Sequence, residues 1–408
     1  MSNFDISQNL KIELLLPQDG LFTLGISLLG GPDVLGSGSI FRLGESLLGS
    51  TDVLSDSGRS FAWQSIECET AKAQISIGGS VQNAATFEPE PGTANFVIQS
   101  STFDPNNNSN IRASTKIRAS IQTSDISRVL FIGYIDTIDV TYYTSGLNLI
   151  TINAFDLYKS IVNNRLASFD TNILLTDYAT PYEVFREVAD SLGSLLSPFS
   201  LPVEGKIPKV TLTNVIPAEL MNEAIDVGLA IVWIDPITER LTIVPRPSAA
   251  SASEDTFTIG NNHGEPNHLC MSEINVKSDA DRIFNSLSVT RKTGGGSPVV
   301  VKDQDLIDLY GVSSLDQVID VIDTEELTRW ANAVFAQTST KLVNTITTPA
   351  IDRKGNITES AFFIPGMLVG VSYNTDNVSI EGYYSIVKVN HSIDVNTWLT
   401  TLELWRAV

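Results

Sequence analysis

Three histidines, two cysteines and several clustered carboxylates and amides are the side chains from which a reactive or metal-holding site could be built. His263, His268 and Cys270 lie close together with Glu265 beside them, and imidazole with thiolate is zinc chemistry. Their spacing matches no standard zinc pattern, and Asn261-Asn262-His263-Gly264 reads as a loop. We therefore expect an exposed connection between domains, with Cys270 opening the next core. Asp104, Asn106 and Asn108 occupy the first three ligand spacings of a calcium loop. Ser109 stands where that loop needs Gly, and Thr115 where it needs a bidentate Glu. A turn whose Asp and Asn side chains cap their own backbone explains these residues without a metal.

A Ser-His-Asp triad needs no adjacency in sequence, so it must be weighed from the histidines. His391 falls in a strand pattern and reads as structural, and Gly-x-Ser-x-Gly occurs only as the fragment Gly36-Ser37-Gly38. Carboxylate pairs of the kind that cleave glycosides carry no signal among 47 acids. The run Gly294-Gly295-Gly296 is followed by no Lys-Ser/Thr and opens no helix, so it reads as a hairpin tip rather than a phosphate loop. Trp63, Trp233, Trp330, Trp398 and Trp405 are spread along the chain as core anchors. The residues thus indicate no catalytic, cofactor-binding or metal-binding set, and no enzyme.

The elements around these residues set broader limits. The 408 residues carry 26 Lys+Arg against 47 Asp+Glu, a net charge of -21, with 42% apolar and 18% charged residues. Such a chain buries large cores but does not grip phosphates or anionic lipid with its own surface. Cys68 and Cys270 exclude a disulfide-rich scaffold and read as small buried thiols. No apolar run reaches the roughly 18 residues a spanning helix needs. Met1-Ser2-Asn3-Phe4-Asp5 is no export signal, so we expect synthesis in the cytoplasm and no stable membrane insertion.

An internal repeat, Leu24-Gly25-Ile26-Ser27-Leu28-Leu29-Gly30 and Leu43-Gly44-Glu45-Ser46-Leu47-Leu48-Gly49, predicts two related strand-turn units. From Phe61 to Phe155 the signal is strands, and period-two alternation, as in Ala73–Ile77, predicts antiparallel sheet. Thr180-Pro181-Tyr182-Glu183 is a capping box with Pro at the first helical position, followed by a stripe of Val184, Phe185, Val188, Ala189, Leu192 and Leu196. A second helix runs from Pro217 and stops near Gly228. Leu229–Ile234 and Leu241–Val244 then form a hairpin around Asp235-Pro236-Ile237-Thr238, and Pro245–Asp255 is a linker. Ser314-x-x-Gln317 predicts a short helix, and Leu327, Ala331, Val334, Phe335 and Leu342 predict a long one over about 324–342. Strands follow at Met367–Tyr373, Tyr383–His391 and Leu399–Trp405.

Several segments carry a resemblance. Phe87-Glu88-Pro89-Glu90-Pro91-Gly92-Thr93-Ala94 is followed by Phe103-Asp104-Pro105, by Phe131-Ile132-Gly133-Tyr134-Ile135, and by Ile152-Asn153-Ala154-Phe155-Asp156-Leu157. In this order they resemble the opening domain of minor tail proteins of long-tailed bacteriophages. Ile386-Val387-Lys388-Val389-Asn390-His391-Ser392-Ile393 and Trp398-Leu399-Thr400-Thr401-Leu402-Glu403-Leu404 resemble the closing hairpin of the tail-hub (baseplate-hub) family. The likeness spans about three quarters of the chain. The Leu-Gly repeat falls outside it, and no large C-terminal extension follows the last hairpin, so we expect a bare hub or an adhesin carried on a separate chain.

The resemblance implies a mainly β fold with an α+β insert: two tail-tube-like antiparallel β-barrel or sandwich domains plus a small α/β domain. The domains would be 1–60 (the repeat, packed on the first barrel), 61–165 (first barrel), 166–270 (insert and linker) and 271–408 (second barrel). It further implies a homotrimeric ring with pseudo-sixfold barrels in the virion, at the tail tip, assembled in the host cytoplasm. Neighbours would be a distal tail ring, a tape measure and a tip fibre or adhesin, and DNA would pass through the channel without sequence-specific binding. Alternatives are a hexameric distal-tail-type ring protein and, in a different class, a secreted polysaccharide-acting enzyme or adhesin.

Overall fold

The computed structural model describes residues 9–18, 60–66, 69–83, 85–108, 110–122, 127–261, 267–277, 284–337 and 342–407. The Leu-Gly repeat, Cys68, His263 and Glu265 lie outside them. The fold is mainly β, with helices grouped in the middle of the chain. The described residues divide into two compact units. One holds 72–95 and 155–407, the other the described part of 9–71 together with Phe96–Ala154.

The smaller unit is a sheet in the order Ser60–Ser65, Leu10–Gln18, Lys116–Gln122, Ser127–Tyr142, Asn148–Phe155, Thr93–Ser100, the last two contributing the parts that lie within it. The alternation seen in sequence is the alternation of burial. Ile150 and Ile152 point inward on one strand, and Phe96 and Ile98 on the next. Full burial of each such side chain is worth about 1.5–3 kcal/mol. Leu10, Ile12, Leu14 and Leu16 line the same core from the first strand. Glu13 projects to the opposite face and is nevertheless buried, because its cross-strand partner Arg118 covers it.

In the larger unit the strand Ser379–Asp394 is the spine. Its first half pairs antiparallel with Leu368–Asn374 and its second half with Glu69–Val81, while Tyr384–Asp394 pairs along Thr397–Arg406. The core over it joins Ile259, Ile346, Val371, Ile386, Val389 and Leu402. The pairing of Lys72–Gly78 with Lys388–Asp394 explains why 72–95 packs with the C-terminal half.

The helical part of this unit follows the local signals. Thr180 and Glu183 form both bonds of the capping box, and Val184, Phe185, Val188 and Ala189 are buried. The helix Pro217–Gly228 does not use Gly228 as its left-handed stop. Leu229 takes that conformation at φ 49, and Gly228 is needed because a Cβ there would lie 2.5 Å from Val203 Cγ1. The hairpin Ala230–Asp235 with Arg240–Pro245 is buried along its whole first strand.

Three expectations are corrected. Ser314–Ile319 is a strand, not a helix, because it pairs in parallel with Ser286–Arg291 and sets Leu315 beside Leu287. The short helix lies earlier, at Gln304–Tyr310, where Asp303 accepts from Leu306 N–H. The later helix is Thr324–Phe335 and stops short of 342, with Gln337 Nε2 donating to the Ala333 carbonyl. Leu342 opens a strand instead. The sheets are also not purely antiparallel, since Thr258–Gly260 runs parallel to both His268–Cys270 and Leu368–Asn374.

Candidate functional site

Two of the motif segments meet in the fold. The Asp156 N–H donates to the Gly92 carbonyl at 2.9 Å, and the Asp156 carboxylate accepts from the Tyr158 N–H at 3.0 Å and from the Gly92 backbone. Asp156 is thereby the N-cap of the helix Leu157–Asn163. Only glycine fits at position 92, since a Cβ there would run into Asp156 Oδ2 and stand 3.2 Å from the Ser76 carbonyl. Burial pushes the Asp156 carboxyl up to about 8, against the two backbone hydrogen bonds that favour its charge. Burial, then the charges of Asp156 and Glu88, raise the Tyr158 hydroxyl as well. The contact lies within three residues of two places where the chain passes between the units, Asn95/Phe96 and Ala154/Phe155.

Among the described residues, several of those singled out for chemistry take part in packing and turns. Asp104 accepts from Asn106 N–H at 2.9 Å, from Asn107 Nδ2 at 3.1 Å and from the Tyr142 hydroxyl at 3.0 Å. Its carboxylate ties the 104–108 turn to the end of the strand Ser127–Tyr142. Asn108 accepts from Asn110 N–H, and the Thr115 hydroxyl donates to the Asn110 carbonyl. Gly294, Gly295 and Gly296 all have positive φ, and a Cβ on the last two would meet open space. His391 is buried. Its Nδ1 accepts from Trp398 Nε1 at 3.2 Å, with the Thr400 hydroxyl 3.1 Å away.

Cys270 is exposed, which corrects the reading of a buried thiol that opens a core. It belongs to an edge strand, and its carbonyl accepts from the Thr348 hydroxyl. His268 lies two residues before it, opposite Thr258. Among the described residues no three His, Cys, Asp or Glu side chains gather as a metal-holding group. Trp233, Trp330, Trp398 and Trp405 are buried, whereas Trp63 carries Arg118 over its ring at 4.4 Å.

Sequence reading missed the remaining perturbed groups because their partners are distant in the chain. Asp226 is pushed up to about 7 by burial and by Glu223, which itself pairs with Lys292. Arg246 is brought down to about 9 by burial, with its guanidinium carbon 3.8 Å over the Trp405 ring. Both shifts have burial as their first cause, and the partners come from other parts of the chain.

Neither a known family pattern nor a characterised protein matches the chain by sequence. Its backbone is similar to the tail protein from Neisseria meningitidis, with TM-score 0.57 and 13% identity over 85% of this chain and 94% of that one. It is also similar to the 43 kDa tail protein of prophage MuSo2 from Shewanella oneidensis, with TM-score 0.56 and 12% identity over 85% of this chain and 96% of that one. The chain has the fold of these tail proteins. At such identities the shared feature is the backbone, and the Gly92–Asp156 contact shows how two short motifs hold one part of this tail-protein fold in place.

Proposed function

We propose that the chain is a structural, non-enzymatic component of a phage tail tip. Three copies close a ring that joins the tail tube to the tip and encloses the path of the DNA. Its neighbours in the virion are a distal tail ring, a tape measure and a tip fibre or adhesin. The observation that carries this reading is the extent of the likeness: 85% of this chain against 94% and 96% of two tail proteins. The net charge of -21 supports a passage that repels a duplex instead of holding it. The test is the solution mass of the purified chain across concentration. A mass near three times the 44.3 kDa chain, about 133 kDa, is expected of a threefold ring. A sixfold mass replaces it with the hexameric ring reading, and a mass fixed at 44.3 kDa removes self-closure as the basis of the ring.

A further inference from the structure

Two complementary features flank the 11-residue helix Pro181–Ser191, itself about 16 Å long at 1.5 Å per residue. Before its N-terminus, Leu175 is wholly exposed and Ile173 is 67% exposed. The loop that presents them is pinned: Lys209 Nζ donates to the Leu174 carbonyl at 2.6 Å, Thr171 N–H to Val210, and Ala179 N–H to Ile207. Beyond the C-terminus of the helix lies a cavity of about 250 Å³ lined by Leu157, Ile161, Leu192 and Leu241, with Ser160 and Ser194 at its polar side. An apolar cavity of ~150 Å³ already admits a benzene-sized group, so a leucine side chain fits.

Charge matches shape. Asp177, two residues past Leu175, is exposed and forms no ion pair among the described residues. Arg240 lines the depression that continues from the cavity over Gly193 and Ser194, and it too forms no ion pair among the described residues. Arg240 is the one cation among the residues that line this depression, and Asp190 on the same rim is the acid that an incoming carboxylate must avoid.

We propose that Leu175 of one copy enters the cavity beside Leu192 of a second copy, with Asp177 pairing to that copy's Arg240. Projection and recess are built from different residues of one chain, so the contact is head-to-tail, the kind that closes into rings. It deepens the ring reading and rests on it only for the number of copies.

The test is the mass of the full chain by sedimentation, with Leu175→Asp, Ser160→Trp, and Leu309→Asp as an exposed control elsewhere. Leu175→Asp and Ser160→Trp each weaken association at least tenfold, and the control does not. Mixed one to one, the first two form a dimer that grows no further, because each retains one intact face. Asp177→Lys and Arg240→Glu each weaken association, and the double exchange restores it, which keeps the test valid should Ser160→Trp misfold. The contact is overturned if the wild type associates and all these variants keep its mass, a result that leaves the ring reading standing. It is equally overturned if the wild type never exceeds the mass of one chain. Variants that dissociate from a wild-type assembly of other than three copies support the contact and remove the threefold reading.

Discussion

Glu13 and Asp156 are both acids shut away from water, and the fold treats them in opposite ways. Burial opposes the charge of Glu13, yet hydrogen bonds from Arg118 at 2.5 Å and Lys11 outweigh it and lower its pKa. Its contribution to stability is therefore present above the ordinary carboxylate value of 4.5 and is lost as pH falls through the lowered value. Arg118→Met removes one of the two cations on that carboxylate and leaves Lys11 as its remaining partner, and should cost about 1.5–3 kcal/mol in denaturant unfolding at neutral pH. Asp156 meets only backbone donors, and burial raises it to about 8. A raised acid binds more protons folded than unfolded, so its contribution is full below 3.8 and is lost as pH rises through about 8. Between pH 5 and 8 Glu13 is ionised in both states, and comparison of wild type with Asp156→Asn cancels the histidines, which titrate in the same window in both proteins. Stability should fall across that window, and Asp156→Asn should reduce the fall. Part of it should remain, because Asp226, raised to about 7, acts with the same sign. A pH-independent difference between wild type and Asp156→Asn would count against a buried neutral carboxyl.

Elements were legible where their cause is local. The capping box at Thr180 is four residues long, so the helix start could be named, and Thr180→Ala should lower stability by about 1 kcal/mol in thermal or denaturant melts. The same kind of signal misled at Ser314. Ser-x-x-Gln fits a helix start, but the parallel partner Ser286–Arg291 lies elsewhere in the chain and outweighs a weak local preference. The helix from Thr324 was legible through Leu327, Ala331 and Val334, and its end was not, because Leu342 continues the apolar stripe while belonging to the next strand. Trp330 could be named a core residue but not placed. It is fully buried and donates to the Asp226 carbonyl at 2.6 Å, a bond to another helix. Trp330→Ala should cost about 3–5 kcal/mol, more than the lost cap, because it opens a cavity and leaves that carbonyl only the longer bond from the Leu229 N–H. The Gly92–Asp156 contact was present in the sequence as two separate motifs, and only the fold shows that glycine at 92 makes room for the acid at 156.

For the whole molecule the decisive quantity is the charge of -21 that every copy brings to an assembly. Copies approaching one another repel over the Debye length, ~30 Å at 0.01 M salt and ~8 Å at 0.15 M. The proposed contact opposes this with one exposed ion pair, Asp177 to Arg240, worth at most about 1 kcal/mol, together with an apolar side chain that salt does not weaken. Long-range repulsion between two such charges exceeds one screened pair, so association should strengthen as salt rises from ~0.01 to ~0.15 M. Sedimentation at a fixed chain concentration reads this directly. Arg240→Glu should steepen the salt dependence, since it adds repulsion at the contact. Association that weakens with added salt would mean that ion pairs, not apolar fit, hold the copies together, and the recess beside Leu192 would then not be the dominant contact.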